Sequence, residues 1–310
     1  MRVLVTGGRG KVGRATVAAL QSAGHEAVSV DVGRPVFEAD PPGAAPYVQA
    51  DLTDAGAAYA VVRDCDAVVH AAAIPDPVHN PPHVVLGNNL MSTFNVLEAA
   101  VRLGVPRFVN VSSETVPGFF FPERPQLPHY LPVDEEHPRE PQDPYALAKL
   151  FGEQLCDAAV RRSDIRCITI RPSWVQWEGN YERNLGPLVR DPSLLTAGFW
   201  SYIDVYDLAD ALVLAVESEL PGHDIIYIAS PDNAGGRDFA AAVRAAVGDA
   251  VELREPLDRI DASGISIAKA RRLLGYAPTR SWRDYLDAEG RLLPEVRERL
   301  ARGETPLADG

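Results

Sequence analysis

The chain has 310 residues, 46% of them hydrophobic, which is enough to bury a substantial core in one large or two modest domains. Its 30 Lys and Arg against 43 Asp and Glu leave a formal charge of −13, so it lacks the basic face that a nucleic-acid backbone requires. The N-terminal apolar run is too short for a signal peptide or a membrane span, and a cytoplasmic location with no membrane partner is expected. Cys65, Cys156 and Cys167 have neither a disulfide-like count nor metal-ligand spacing, so free thiols and no metal site are expected.

In chain order, short Val/Ile-rich runs at 3–5, 27–30, 67–70, 107–111 and 166–170 read as strands. Between them, "VGRATVAALQSAG", "NNLMSTFNVLEAAVRLG" and "PYALAKLFGEQLCDAAVRR" place apolar residues at helical spacing, and the first two end on a glycine. A further helix, "VYDLADALVLAVES", precedes the strand-like "DIIYIAS" at 224–230. This alternation predicts an α/β chain with a Rossmann-type, doubly wound parallel sheet. The dinucleotide-binding domain is expected over 1–171, completed by about 199–230. Residues 172–198 and 231–310 form a smaller, C-terminal substrate-binding portion. Residues 117–144 hold eight prolines and no periodicity, so a long loop is expected there, packed over the site because three consecutive Phe residues are costly in water.

The run "VLVTGGRGKVGRA" puts Gly7, Gly10 and Gly13 between a strand and a helix, where backbone must approach a pyrophosphate and free N–H groups face it. Lys11 and Val12 lie in the same turn. Asp31 ends the second strand, 18 residues after Gly13, where a carboxylate can accept from ribose hydroxyls and repel a 2′-phosphate. NAD is therefore expected over NADP, although Arg9 and Arg34 are near enough in sequence to neutralise a phosphate. Asp51 and Leu52, after the third strand, are expected beside the adenine, and Ala71 and Ala72, after the fourth, leave room for the cofactor. His70 reads as a packed strand-end residue.

Tyr145 and Lys149 are four apart at the start of a helix and share a face, so the ammonium can favour the phenolate that acid/base work needs. Hydride transfer at a secondary alcohol also needs a group that orients the oxygen, and Ser113 is a candidate for it, against the alternative of an ordinary strand-end serine.

Taken together, TGGxGxxG at 6–13, Asp31, "ADL" at 50–52, "HAAA" at 70–73, "NNLMSTFNVLEAA", the "SS" of 112–113, "PYALAKLFGE", "RPS" at 171–173 and "YIDVYDLADA" resemble the extended short-chain dehydrogenase/reductase superfamily of sugar epimerases, dehydratases and dehydrogenases. The resemblance covers roughly residues 1–230. It implies Tyr145 as acid/base, Lys149 as its tuner and a ribose ligand, Ser113 on the substrate oxygen, and Asn89 holding the helix or a proton-relay water. It also implies a homodimer through two helices per subunit, and a carbohydrate-like substrate.

Three positions depart from the family pattern. Where sugar dehydratases read Thr-Asp-Glu, this chain has Ser113, Glu114 and Thr115, so one carboxylate is missing and dehydration is disfavoured. Pro117 replaces a tyrosine. Trp200 stands where an arginine commonly grips a nucleotide diphosphate, and Trp174, Trp200 and Glu114 become candidate substrate contacts. The loop after Ser113 is also similar to that of uronic-acid dehydrogenases. The expected function is an NAD-dependent sugar or sugar-acid dehydrogenase or epimerase; a nucleotide-sugar 4-epimerase and a non-catalytic NAD(P)-binding redox sensor are the alternatives.

Overall fold

The computed structural model describes residues 1–33, 43–254, 256–304 and 307. Its first half runs β1 (Arg2–Thr6), α1 (Lys11–Ser22), β2 (Glu26–Asp31), β3 (Tyr47–Gln49), α2 (Ala55–Val62), β4 (Ala67–His70), α3 (Pro82–Leu103) and β5 (Arg107–Val111). A two-residue β6 (Tyr130–Leu131) precedes α4 (Pro144–Arg162) and β7 (Arg166–Pro172). Then follow β8 (Val175–Gln176), α5 (Tyr181–Asn184), α6 (Gly186–Arg190), β9 (Ile203–Asp204), α7 (Val205–Glu217) and β10 (His223–Ile228). The chain closes with α8 (Phe239–Val247), β11 (Glu252–Leu253), α9 (Ala268–Leu274) and α10 (Pro294–Ala301).

Seven strands form one parallel sheet in the order β10-β7-β5-β4-β1-β2-β3. The order reverses between β1 and β4, the switch point at which open α/β sheets collect ligands along their carboxyl edge. The central strands are apolar on both faces because helices cover both: Val3, Val5 and Val69 belong to one buried cluster, Leu4 and Val68 to the other. The first cluster continues without a break into Tyr202, Phe239 and Trp282.

Helix ends follow their capping residues. Asp143 caps α4 by accepting from the N–H groups of Tyr145 and Ala146, which fixes the first turn that carries Tyr145. Gly104 after α3 and Gly275 after α9 take the left-handed conformation that a Cβ disfavours. The proline-rich 117–144 segment differs from the expected bare loop. Tyr130 and Leu131 pair with β11, Val133 bridges to Ile265, and Phe119 is buried against Phe120 and Phe199. His137 locks it further, accepting the His129 N–H and meeting the Pro138 carbonyl. The three cysteines are buried and free.

Candidate active site

The glycine turn after β1 is built by close approach. A Cβ on Gly13 would stand 2.1 Å from the Gly7 carbonyl oxygen, and one on Gly7, at φ +66°, would meet the backbone of Ala71 and Ala72 at 2.8–2.9 Å. Side chains at either position would push α1 off the turn and close the space above it. Asp31 sits beside this turn. Its Oδ2 accepts the Arg9 N–H at 3.0 Å, and its Oδ1 accepts from Val32 and Gly33, so the loop is tied down while Oδ2 retains a lone pair for a further donor. Arg9 is stacked on the Tyr47 ring; Arg34 lies outside the described residues. The Lys11 ammonium reaches the Leu307 carbonyl and lies 3.9 Å from the centre of a Trp177 ring. Val12 packs into the core at the start of α1.

The two sides of this groove agree with the sequence expectations unequally. Asp51 is exposed at the end of the β3 segment, its Oδ1 held by Thr53, which keeps it ionised. Leu52 corrects the expectation of an adenine contact: it is 4% exposed and packed in the core, with its carbonyl held by Asn95. Asn89 was expected to hold the helix or a relay water, and its contacts match the first role. Its amide oxygen accepts the Ile74 N–H at 2.8 Å and its amide nitrogen donates to the Ile74 carbonyl at 3.0 Å, so both arms clamp the loop after β4 to α3. His70 is a packed residue. Thr93 donates to the Asn89 carbonyl, so His70 Nε2 donates to Thr93; Thr6 accepts the Ala72 N–H and donates to His70 Nδ1. Burial lowers the proton affinity of His70 to about 3, and the ring is neutral.

At the carboxyl end of β5, Ser113, Tyr145 and Lys149 come together. The Ser113 hydroxyl lies close enough to the Tyr145 phenol to lower its proton affinity, and the Lys149 ammonium lies 5.7 Å from the centre of the Tyr145 ring while donating to the Val111 carbonyl at 2.7 Å. Burial pushes the phenol up to about 12, opposed by the Ser113 hydroxyl, and the carboxylates of Asp143, Glu114 and Asp76 push in the same direction as burial. Burial pulls the lysine down to about 8, with Glu153 acting against it. Desolvation dominates at the phenol, so it keeps its proton at neutral pH, unlike the phenolate the sequence alone suggested.

Glu114 and Ser173 were not paired in the sequence reading, yet the Ser173 hydroxyl donates to Glu114 Oε2 at 2.7 Å. Burial raises the Glu114 carboxyl to about 8. A Cβ on Gly198 would approach Phe120 to 3.0 Å and Glu114 Oε2 to 3.6 Å, so glycine there permits the close packing of this segment against Phe120. Trp174 is half-open at the end of β7. Trp200, by contrast, corrects its expectation: it is 1% exposed, edge-on to Phe199 and Phe239, and donates its indole N–H to the Leu194 carbonyl. Arg237 lies against its ring and donates to the carbonyls of Pro192, Ala234, Leu188 and Asp191, and among the described residues it pairs with no carboxylate at salt-bridge distance. Trp200 is core, and no sugar can stack on it.

The sequence reading also missed the layer beneath the site. Glu153 accepts from Ser112 and from both Nε and Nη2 of Arg171, each at 2.7 Å, and Arg171 donates to the Tyr227 hydroxyl. One signal was available: Glu153 is four residues past Lys149, which puts a carboxylate on the inward face of a packed helix, where it requires a partner.

The chain is similar to known proteins. The chain is 33% identical over 175 residues to a UDP-glucose 4-epimerase of Azospirillum brasilense, covering 55% of this chain and 48% of that protein. It is 30% identical over 171 residues to a uronate dehydrogenase of Pseudomonas syringae pv. tomato, covering 55% and 58%. The chain thus spans about half the length of these curated relatives. A short-chain dehydrogenase/reductase superfamily protein from Agrobacterium tumefaciens, solved with bound NAD, superposes with a TM-score of 0.72 at 24% identity over 98% of this chain and 99% of that one, a likeness of fold. The model of the NAD dependent epimerase/dehydratase family matches residues 3–229, and the chain belongs to that family.

Proposed function

We infer that this protein is an NAD-dependent oxidoreductase that transfers hydride from a secondary hydroxyl-bearing carbon of a sugar-like substrate. The observation that carries the reading is the meeting of Ser113, Tyr145 and Lys149 at the sheet edge that also holds the glycine turn. Asp31, with a lone pair to spare and its loop tied down, supports NAD over NADP. The residues fit that cofactor: the turn before α1 is open only because Gly7 and Gly13 lack side chains, and Lys149 stands where a ribose hydroxyl can be held. When bound, the oxidised nicotinamide supplies the hydride acceptor and a positive charge beside the phenol.

The chain's own residues then do the rest. Ser113 donates to the substrate oxygen and orients it; Tyr145, once deprotonated, accepts the hydroxyl proton; Lys149 stabilises the phenolate. If the ketone leaves, the outcome is dehydrogenation, and if it turns over and takes the hydride back, epimerisation. A free sugar or sugar acid suits the site better than a nucleotide sugar, because the position where an arginine commonly grips a diphosphate is the buried Trp200, and Arg237 against its ring is committed to backbone carbonyls. The similarity to a uronate dehydrogenase supports the same choice.

In this reading residues 1–171, completed by about 199–230, bind the cofactor, and 172–198 with 231–310 bind substrate. No helix among the described residues is long and apolar enough to cross a membrane, and the reading keeps the protein in the cytoplasm. It further takes the protein as a homodimer through α3 and α4, which pack together and leave Met91, Phe94 and Phe151 exposed. Sedimentation of the purified protein tests the dimer: a monomer mass rejects it.

A further inference from the structure

Beneath Ser113, Tyr145 and Lys149 lies a buried charged layer. Glu153 and Arg171 are both 0% exposed. Arg171, on β7, grips both oxygens of the Glu153 carboxylate at 2.7 Å, and Ser112, on the segment after β5, donates to Oε1 at 2.7 Å. Lys149, one helical turn before Glu153, donates to the carbonyl of Val111. The two residues immediately ahead of Ser113 are therefore both tied to α4, one through Lys149 and one through Glu153. The distance between Ser113 and Tyr145 is set by these two struts.

The layer also sets charge. Lys149 faces Tyr145 and Glu153 on its own helix and His70 from β4; Tyr145 also feels Glu114, Asp143 and Asp76; Glu153 meets Arg171 from β7 and, at 4.0 Å, Arg139 from the 117–144 segment, and Arg171 lies against Tyr227 from β10. His70 is neutral and Glu114 holds its proton, so the buried charges beside the phenol are Lys149, Arg171 and Glu153, with Asp143, Asp76 and the half-exposed Arg139 acting in addition. A lone Glu153 would draw the ammonium to itself and cancel its field at the phenol. Arg171 engages that carboxylate through two parallel hydrogen bonds, the strong geometry for such a pair, and leaves the lysine's charge uncancelled.

We propose that Glu153 is a positioning residue for the reaction: clamped by Arg171 and Ser112, it fixes where Lys149 and Ser113 stand and, with its own charge balanced by Arg171, leaves the lysine's positive charge to act on the Tyr145 phenol. The proposal rests on Tyr145 and Lys149 being the acid/base pair, and its primary test needs no substrate. Lys11 and Lys269 are the chain's other lysines, so the ε-carbon signal of Lys149 can be followed by NMR in protein grown on labelled lysine and assigned with Lys149→Met. Removing a neighbouring anion makes every nearby proton easier to lose. Glu153→Gln is expected to lower the Lys149 midpoint by about one pH unit, and Glu153→Asp, which keeps the charge, to leave it close to the original. The rising limb of kcat/KM in sugar oxidation follows in the same direction.

Should Glu153→Gln not fold, the double change Glu153→Gln/Arg171→Met removes both charges together and is expected to leave the midpoint within about 0.3 unit of the original. Ser112→Ala tests the strut without touching charge: kcat falls about tenfold while the Lys149 midpoint and the KM for NAD stay put. A folded Glu153→Gln protein with an unmoved midpoint overturns the proposal, as does a shifted midpoint in the double variant or an unchanged kcat in Ser112→Ala. If instead Tyr145→Phe retains full turnover, the acid/base reading fails while the lysine titration still stands on its own.

Discussion

Tyr145 and Lys149 occupy one face of α4, and burial drives their proton affinities apart, the phenol up to about 12 and the ammonium down to about 8. Deprotonating the phenol at neutral pH therefore needs added positive charge nearby. Tyr145→Phe is therefore expected to lower kcat by about 10²-fold or more with NAD affinity unchanged, measured by steady-state rates beside a calorimetric titration. Glu114 gives a second residue-scale prediction. Its folded value of about 8 is above its unfolded one, so the stability it contributes is complete below about pH 4 and is lost as pH rises through 8. Glu114→Gln should gain melting temperature relative to the parent between about pH 5 and about pH 8.5. A difference that stays flat across that range would show that Glu114 is ionised in the fold.

At the scale of elements, what the sequence made legible and what it hid have physical causes. Strands β1, β2, β4, β5 and β7 and helices α1, α3, α4 and α7 declare themselves because both faces of the sheet are buried and the helices carry periodic apolar stripes. β6 is hidden, since two residues among eight prolines pair only with a distant strand, and no local pattern announces that. Trp200 is misread for the same reason: an aromatic at a ligand position in sequence can be core in space, and its neighbours Phe239 and Arg237 come from more than 30 residues away. The glycine turn was legible in full, because the need for glycine is local. Gly13→Ala should abolish measurable NAD binding and lower the melting temperature, since its methyl would stand 2.1 Å from a backbone oxygen that cannot yield without moving β1 or α1. Asn89→Ala should cost about 1–3 kcal/mol in denaturant unfolding and expose the 74–81 loop to proteolysis, because it strands the Ile74 backbone groups. Equal stability would mean that water replaces the clamp.

For the whole molecule, one continuous core joins the sheet to the C-terminal segments, so the glycine turn, Ser113 and Gly198 are held in one frame. Arg237 in that frame is committed to backbone carbonyls and is not free to grip a diphosphate. The central claim is that this frame oxidises a free sugar or sugar acid with NAD through Tyr145. The most direct measurement mixes purified protein with NAD and, in turn, free sugars, uronic acids and nucleotide sugars, and follows NADH absorbance beside the Tyr145→Phe protein. The account predicts net NADH with a free sugar or sugar acid, reduced about 10²-fold or more in the variant. Turnover of nucleotide sugars alone, no reaction with any of them, or a variant as active as the parent would contradict it.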